Sequence, residues 1–463
     1  MFIGRELELQ ELERRYEASG FQLFVLYGRR RVGKTRLIQE FCKNKAALFH
    51  VGIQQEANGA LRAFSRDVLT ALPSEVSAYI DHFNSWEEAF HYAAAQANGK
   101  RLVLVIDEYP YLAQSDPSIS SVLQKVIDHV WKDTDLFVIL CGSSMSFMEN
   151  QVLGYQSPLY GRRTAQMKIL PLQYQESFEF FKGWSWEDRY YGYGVCGGIP
   201  QYLEYFSAYE DFPSAVKGEL LSLSGHLLEE PMNLMKQEMR EPALYNSIIE
   251  AVANGASRQN EIATAAKKDA RDITAYLKAL IDLGVLEKQQ PIEEKNQKKT
   301  IYRLADQLYR FWYRFMPSCL SLISLGMSDN AWKDVIQPGL DAHMGVTYEN
   351  ICLQYIQREV REGHIKPTYL TYGRWWGNNP DRKREEEVDV VAVTSSHILV
   401  GECKWRNESM GTETLEVLKA RGELIRKSRE IQYVLFSKYV FSDALIKQAK
   451  KDHVLLLRAE ELV

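Results

Sequence analysis

The sequence predicts an α/β chain: a doubly wound parallel sheet around a P-loop, then a helical lid, a winged helix and a second α/β domain at the C-terminal end. Three observations predict it. The first third alternates short apolar runs with helical patterns. "GRRRVGKT", Gly28 to Thr35, fits the phosphate-loop pattern between a strand and a helix. Further on, three helical patterns precede two short strands around a charged loop, Glu293–Lys299, which is winged-helix order.

Taken in order, "QLFVLYG", "AALFHVG", "RLVLVIDE", "LFVILCGSS" and "QMKILPL" read as strands. "KTRLIQEFCKN" and "ISSVLQKVIDHVWKD" read as helices between them, so the sheet is parallel and occupies residues 1–170. Residues 171–240 are helical, aromatic and interrupted by "GGIP", the expected lid. The winged helix is expected over 241–305, with its third helix near Asp272–Leu283. An aromatic helical connector spans 306–344. Residues 345–463 read as helix, strand, hairpin, helix, strand, helix, strand. A chain of 463 residues is long enough for about three domains.

Composition narrows the function classes. Hydrophobic residues at 46% and charged residues at 25% suit a globular protein, and a net charge of -5 excludes a globally basic nucleic-acid binder. No apolar run reaches the ~20 residues that span a bilayer. The N-terminus meets charge by its fifth residue, so no secretory signal is expected and the chain is placed in the cytoplasm. Six scattered cysteines without a CxxC pair, and nine histidines without an HxxxH cluster, argue against zinc and disulfides.

The phosphate loop is the most specific signal. In Gly28, Arg29, Arg30, Arg31, Val32, Gly33, Lys34, Thr35 and the following Arg36, the glycines let backbone N–H groups converge on phosphate oxygens. Lys34 reaches the β/γ-phosphates of ATP, and the Thr35 hydroxyl ligates Mg²⁺. "RLVLVIDE" ends a buried strand in Asp107, placed to hold the Mg²⁺, and Glu108, placed to polarise the attacking water.

"MFIGRELELQELE", the phosphate loop, "VLVIDE", "VILCGSS", "SPLYGRRT" and "GGIPQYL" occur in the order found in prokaryotic AAA+ ATPases of the STAND type, the archaeal/bacterial ATPases, and the first half of the chain resembles them. The resemblance implies that Ser143 or Ser144 senses the γ-phosphate. It makes Arg162 and Arg163 candidate arginine fingers, acting in trans in a homo-oligomer or in cis in a monomer. It puts Pro200 against the adenine and closes Ile3, Gly4 and Arg5 over the base. The winged helix has two readings, DNA binding by the helix near Asp272–Leu283 with Lys267, Lys268 and Arg271 before it, or packing and signalling; the second is favoured because that helix carries few basic residues.

In the C-terminal segment, "EEEVDVVAV" and "VGECKW" put Asp389, Glu402 and Lys404 on strands apolar on both faces. Strict alternation assigns Asp389 the face of Val391 and Val393, and Glu402 and Lys404 the face of Ile398 and Val400. Buried charges are costly unless paired or metal-bound. With Glu349 on the preceding helix, the pattern resembles the PD-(D/E)xK restriction-endonuclease-like domains that often end this family, with Val388 replacing the usual proline. The resemblance implies Mg²⁺ or Mn²⁺ on Asp389 and Glu402, a water oriented by Lys404, and DNA as partner, cleaved or merely bound. Arg374, Arg382, Lys383, Arg384, Arg406, Arg421, Arg426 and Lys427 are expected to face its phosphates, and Trp375 and Trp376 either to stack on bases or to join the core.

Overall fold

The computed structural model describes residues 2–463 except Asn98, Lys295, Gln297 and Lys298. The last three belong to the charged loop expected between the winged-helix strands and lie outside the described residues. The chain forms two compact units: Met1–Leu172 with Ile199–Gln201, and Gln173–Gly198 with Tyr202–Val463.

The first unit is built on β1 (Gln22–Tyr27), β2 (Ala47–Val51), β3 (Val103–Asp107), β4 (Phe137–Gly142) and β5 (Ala165–Lys168), all parallel in the order β2-β3-β4-β1-β5. β1, β3 and β4 are buried on both faces, which explains their unbroken apolar runs. Parallel pairing brings the C-terminal ends of all five strands to one edge, where ligands of open α/β sheets bind.

In the second unit, the helices Tyr174–Phe178 and Trp186–Cys196 bury Tyr174, Phe178, Tyr190 and Tyr193 in one core with Tyr348, Ile351, Trp405, Phe436 and Leu462. The expected lid, 171–240, is therefore not a separate body, because its first third completes the C-terminal core. The stretch expected as a winged helix contains the helices Pro242–Ala253, Gln259–Ala265 and Ile273–Asp282 with antiparallel β6 (Leu286–Gln289) and β7 (Ile301–Leu304). The helix Leu340–Arg361 runs through the expected boundary at 344/345.

The C-terminal sheet contains β8 (Thr371–Asn379), β9 (Arg384–Val393), β10 (His397–Lys404), β11 (Glu430–Ser437) and β12 (Leu455–Arg458) in the order β12-β11-β10-β9-β8. β8, β9 and β10 pair antiparallel, and β10, β11 and β12 pair parallel. One face packs with the helix Leu340–Arg361 through Val390, Ala392, Leu399 and Cys403. The other packs with the helix Thr412–Arg426 through Val391, Val393, Ile398 and Val400. The register departs from alternation at one place. Between the pairs Gly373–Val391 and Trp375–Val388, β9 advances three residues and β8 two. This bulge sets Val388 in the same core as Val391. Asp389 lies inside it, where strict alternation no longer assigns a face.

Candidate nucleotide and metal sites

The loop after β1 is shaped by two glycines. A Cβ on Gly28 would lie 2.5 Å from the Ile169 carbonyl oxygen, and Gly33 has φ 87, so neither position accepts a side chain without strain. Lys34 opens the helix Lys34–Cys42, and its ammonium donates to the Gly28 and Arg29 carbonyls, both at 2.9 Å. The Thr35 hydroxyl donates to Asp107 at 2.6 Å. Glu108 follows in the left-handed region, φ 51, and its carboxylate accepts the Ser143 hydroxyl at 2.8 Å and the Ser143 N–H at 3.3 Å. Of the two serines considered, Ser143 is thus the one that touches Glu108.

The other expected nucleotide residues divide. Arg30 donates to the Tyr111 hydroxyl at 2.8 Å, Arg29 is buried and Arg36 is exposed. Ile3 and Gly4 are half-buried. The Arg5 guanidinium donates to the Val32 carbonyl at 3.0 Å and the Leu170 carbonyl at 2.7 Å and pairs with Glu8, so it braces the loop instead of lying open for a base. Pro200 lies against Gly33, its Cγ 3.5 Å from where a Cβ would stand. Arg162 grips Asp128 with two bonds of 2.8 and 2.7 Å. Arg163 donates to the Leu153 carbonyl at 3.0 Å and lies over the Tyr160 ring. Both precede Thr164, whose N–H donates to the Leu23 carbonyl near the start of β1. The P-loop leaves the other end of that strand, about 13 Å away at the rise of an extended chain. The backbone of both arginines thus lies at the start of β5, while the Arg163 side chain reaches back far enough for its charge to act on Tyr27, the residue before Gly28.

The four residues expected at the second site do come together. The Cys403 N–H donates to Asp389 at 2.9 Å, and Lys404 pairs with Glu402 at 2.6 Å. Burial pushes the Asp389 carboxyl well above its ordinary range, and the charges of Glu402 and Glu349 push it further. Burial also raises Glu349, against the pull of Arg374. Burial opposes the charge on Lys404, but Glu402 and Asp389 outweigh it and hold its ammonium above the ordinary lysine value. Glu349, Asp389 and Glu402 offer the carboxylate oxygens that Mg²⁺ or Mn²⁺ takes, but Arg374, Lys404 and Arg421 already pair with Glu349 and Glu402, so a divalent cation would have to displace one of them.

Two arginines expected to face phosphates belong to this site instead. Arg374 is buried and pairs with Glu349 at 2.7 Å, and Arg421 bridges Glu402 and Glu386, both at 3.0 Å. Sequence reasoning missed Glu386, which is buried among Arg384 and Arg421. Trp376 is buried and Trp375 packs on the core shared with Val388.

Residues 2–206 match the model of a family described as an ATPase domain predominantly from Archaea. The uncharacterized protein MJECL04 of Methanocaldococcus jannaschii is 31% identical over 442 residues, covering 95% of this chain and 94% of that one. The chain belongs to the family of MJECL04. With the matching ATPase domain, it is a prokaryotic P-loop ATPase. The uncharacterized ATP-binding protein MJ0423 of the same organism is 53% identical over 45 residues, 10% of this chain and 76% of that one. Residues 312–417 match archaeal and bacterial proteins of unknown function, a stretch that includes Glu349, Asp389, Glu402 and Lys404. The Walker-type ATPase paby2304 of Pyrococcus abyssi is similar in fold: TM-score 0.52, 22% identity, 68% of this chain and 96% of that one. Among the described residues, no helix is long and apolar enough to cross a membrane.

Proposed function

We propose that this ATPase hydrolyses ATP with Lys34 on the phosphates, Thr35 and Asp107 holding Mg²⁺, and Glu108 polarising the attacking water, and that its nucleotide state gates a restriction-endonuclease-like site at Glu349, Asp389, Glu402 and Lys404 acting on DNA. The observation that carries the first half is the convergence of Lys34, Thr35–Asp107 and Ser143–Glu108 at one sheet edge. A bound Mg²⁺ would neutralise charge developing on the transferred phosphoryl group. Ser143 holds the base by its carboxylate, and Arg5 fixes the loop from behind. Ile199–Gln201 belongs to the P-loop unit while the chain on both sides belongs to the other unit, so Pro200 on Gly33 gives a covalent route for the signal.

At the second site, the metal would lower the pKa of a bound water and stabilise charge on a phosphodiester. Asp389 and Glu402 supply the ligands, and Lys404 orients the water. The second reading is an ATP-driven switch or scaffold whose C-terminal domain binds nucleic acid or protein without cutting. It is favoured by one observation: Arg374, Lys404 and Arg421 already neutralise Glu349 and Glu402. A thermal melt of the full chain with and without Mn²⁺ tests the metal site. A ligand that binds only the folded state raises its stability by mass action. A rise in melting temperature that Asp389→Asn removes supports the site; no rise in the wild type contradicts it.

A further inference from the structure

We infer that the wing of the winged helix is an internal latch on the C-terminal sheet, holding the carboxylate cluster in a closed state neutralised by the protein's own cations; the inference rests on the metal-site reading above. β8 is the edge strand of its sheet, and an edge presents backbone groups ready to pair with another segment. The wing uses one of them: the Ile292 N–H donates to the Arg374 carbonyl at 2.8 Å. The Ile292 side chain packs on the core containing Val388, Val391 and Leu418. Next to it, Glu293 pairs with Arg429 at 2.9 Å and Lys427 at 3.0 Å. From the other wing strand, Arg303 approaches Glu387 to 3.4 Å. A cleft of about 300 Å³ remains between the two parts, lined by Arg258, Ile301, Arg303, Trp376 and Glu385–Glu387.

One residue joins this latch to the site. Arg374 stands opposite the bulge that carries Asp389. Its backbone is held by the wing, and its guanidinium grips Glu349 at 2.7 Å and Asn350 at 2.8 Å. While the wing is docked, the cation on Glu349 is fixed in place. Asp389 and Glu402 are then only 8% and 5% exposed, too enclosed for a duplex backbone to reach. Undocking frees the Arg374 backbone and leaves Glu349 to a divalent cation. The ion pairs of Glu293 are exposed, so salt weakens the latch.

The test is hydrogen exchange of the full chain, read at Ile292, beside the melting-temperature shift produced by Mn²⁺. Glu293→Lys sets like charges against Arg429 and Lys427, and exchange at Ile292 rises about tenfold. The Mn²⁺ shift grows with it. Adding Arg429→Glu restores an opposite pair and returns both readings toward wild type, while ATP turnover stays unchanged throughout. Unchanged exchange in folded Glu293→Lys overturns the latch. Faster exchange with a Mn²⁺ shift equal to that of the wild type overturns its coupling to the site. Faster exchange with no Mn²⁺ shift in either protein supports the latch and defeats the metal-site reading.

Discussion

The Ser143 hydroxyl donates to the Glu108 carboxylate at 2.8 Å, across the ends of two adjacent parallel strands. Glu108 sits in the left-handed region, a costly conformation for a residue with a side chain, and such strain is kept where the surroundings hold it. Ser143 is part of what holds it. Ser143→Ala should lower kcat by about tenfold with little change in ATP affinity, because a hydrogen bond to a charged group is worth about 1.5–3 kcal/mol and only part of it bears on the transition state. Glu108→Gln should bind ATP and fail to turn it over. Steady-state kinetics with a nucleotide-binding titration separates the two, and wild-type kcat in both variants would sink the assignment.

Lys34→Ala should weaken nucleotide binding and remove turnover. Its ammonium rests on the Gly28 and Arg29 carbonyls, so the loop keeps its curvature through the glycines while the phosphate contact is lost. The check is fluorescent-nucleotide binding with an ATPase assay. Arg5→Lys should give a milder loss, mainly in affinity, because lysine cannot span both the Val32 and Leu170 carbonyls.

Arg162 and Arg163 precede β5, and Arg162 is already paired with Asp128. If either acts as a finger, ATPase activity per molecule should rise with protein concentration, and the variant should lose that rise along with ~10³-fold in rate. A flat profile with normal rates in both alanine variants assigns the pair to structure, as the Arg162–Asp128 bridge already does in part.

The P-loop half was legible because each apolar run ends directly at the site residue it delivers: Tyr27 before the loop glycine Gly28, Ile106 before Asp107, Gly142 before Ser143. Parallel pairing then gathers those ends without further information. In the C-terminal segment only Glu402 and Lys404 close an apolar run, in β10; Asp389 inside β9 and Glu349 inside a helix stood out through the family resemblance. Their partners were not legible. Arg374 finds Glu349 twenty-five positions earlier on a helix, and nothing local marks that pairing. The bulge around Asp389 leaves no glycine or proline in β9 to announce it. The docking of Ile292 was hidden because a charged loop such as Glu293–Lys299 reads as solvated. Tyr174, Phe178, Tyr190 and Tyr193 read as a lid because an aromatic helical stripe does not say which core it joins.

Acid should destabilise the chain in a defined window. His343 is buried with Nε2 3.3 Å from the Gly194 carbonyl and its ring edge-on to Phe311. Burial first, then the charge of Arg310, pushes its pKa well below the ordinary histidine value. The native imidazole stays neutral, whereas the unfolded one takes a proton near pH ~6.5, so stability is lost as pH falls below about that value. His50, buried beside Asp67, is shifted the same way by burial. Melting temperatures measured between about pH 8 and about pH 5 should fall less in His343→Gln than in the wild type. Parallel curves would assign the acid loss to other groups.

The most direct test of the account is cleavage of plasmid DNA by the full chain with Mn²⁺, in the presence of ATP or ADP, beside an ATPase assay on the same samples. The account predicts nicking that depends on the metal, differs between the two nucleotides, and disappears in Asp389→Asn while ATP turnover remains. Active ATP turnover with no nicking under either nucleotide would contradict it and leave a P-loop switch with a non-cleaving C-terminal domain.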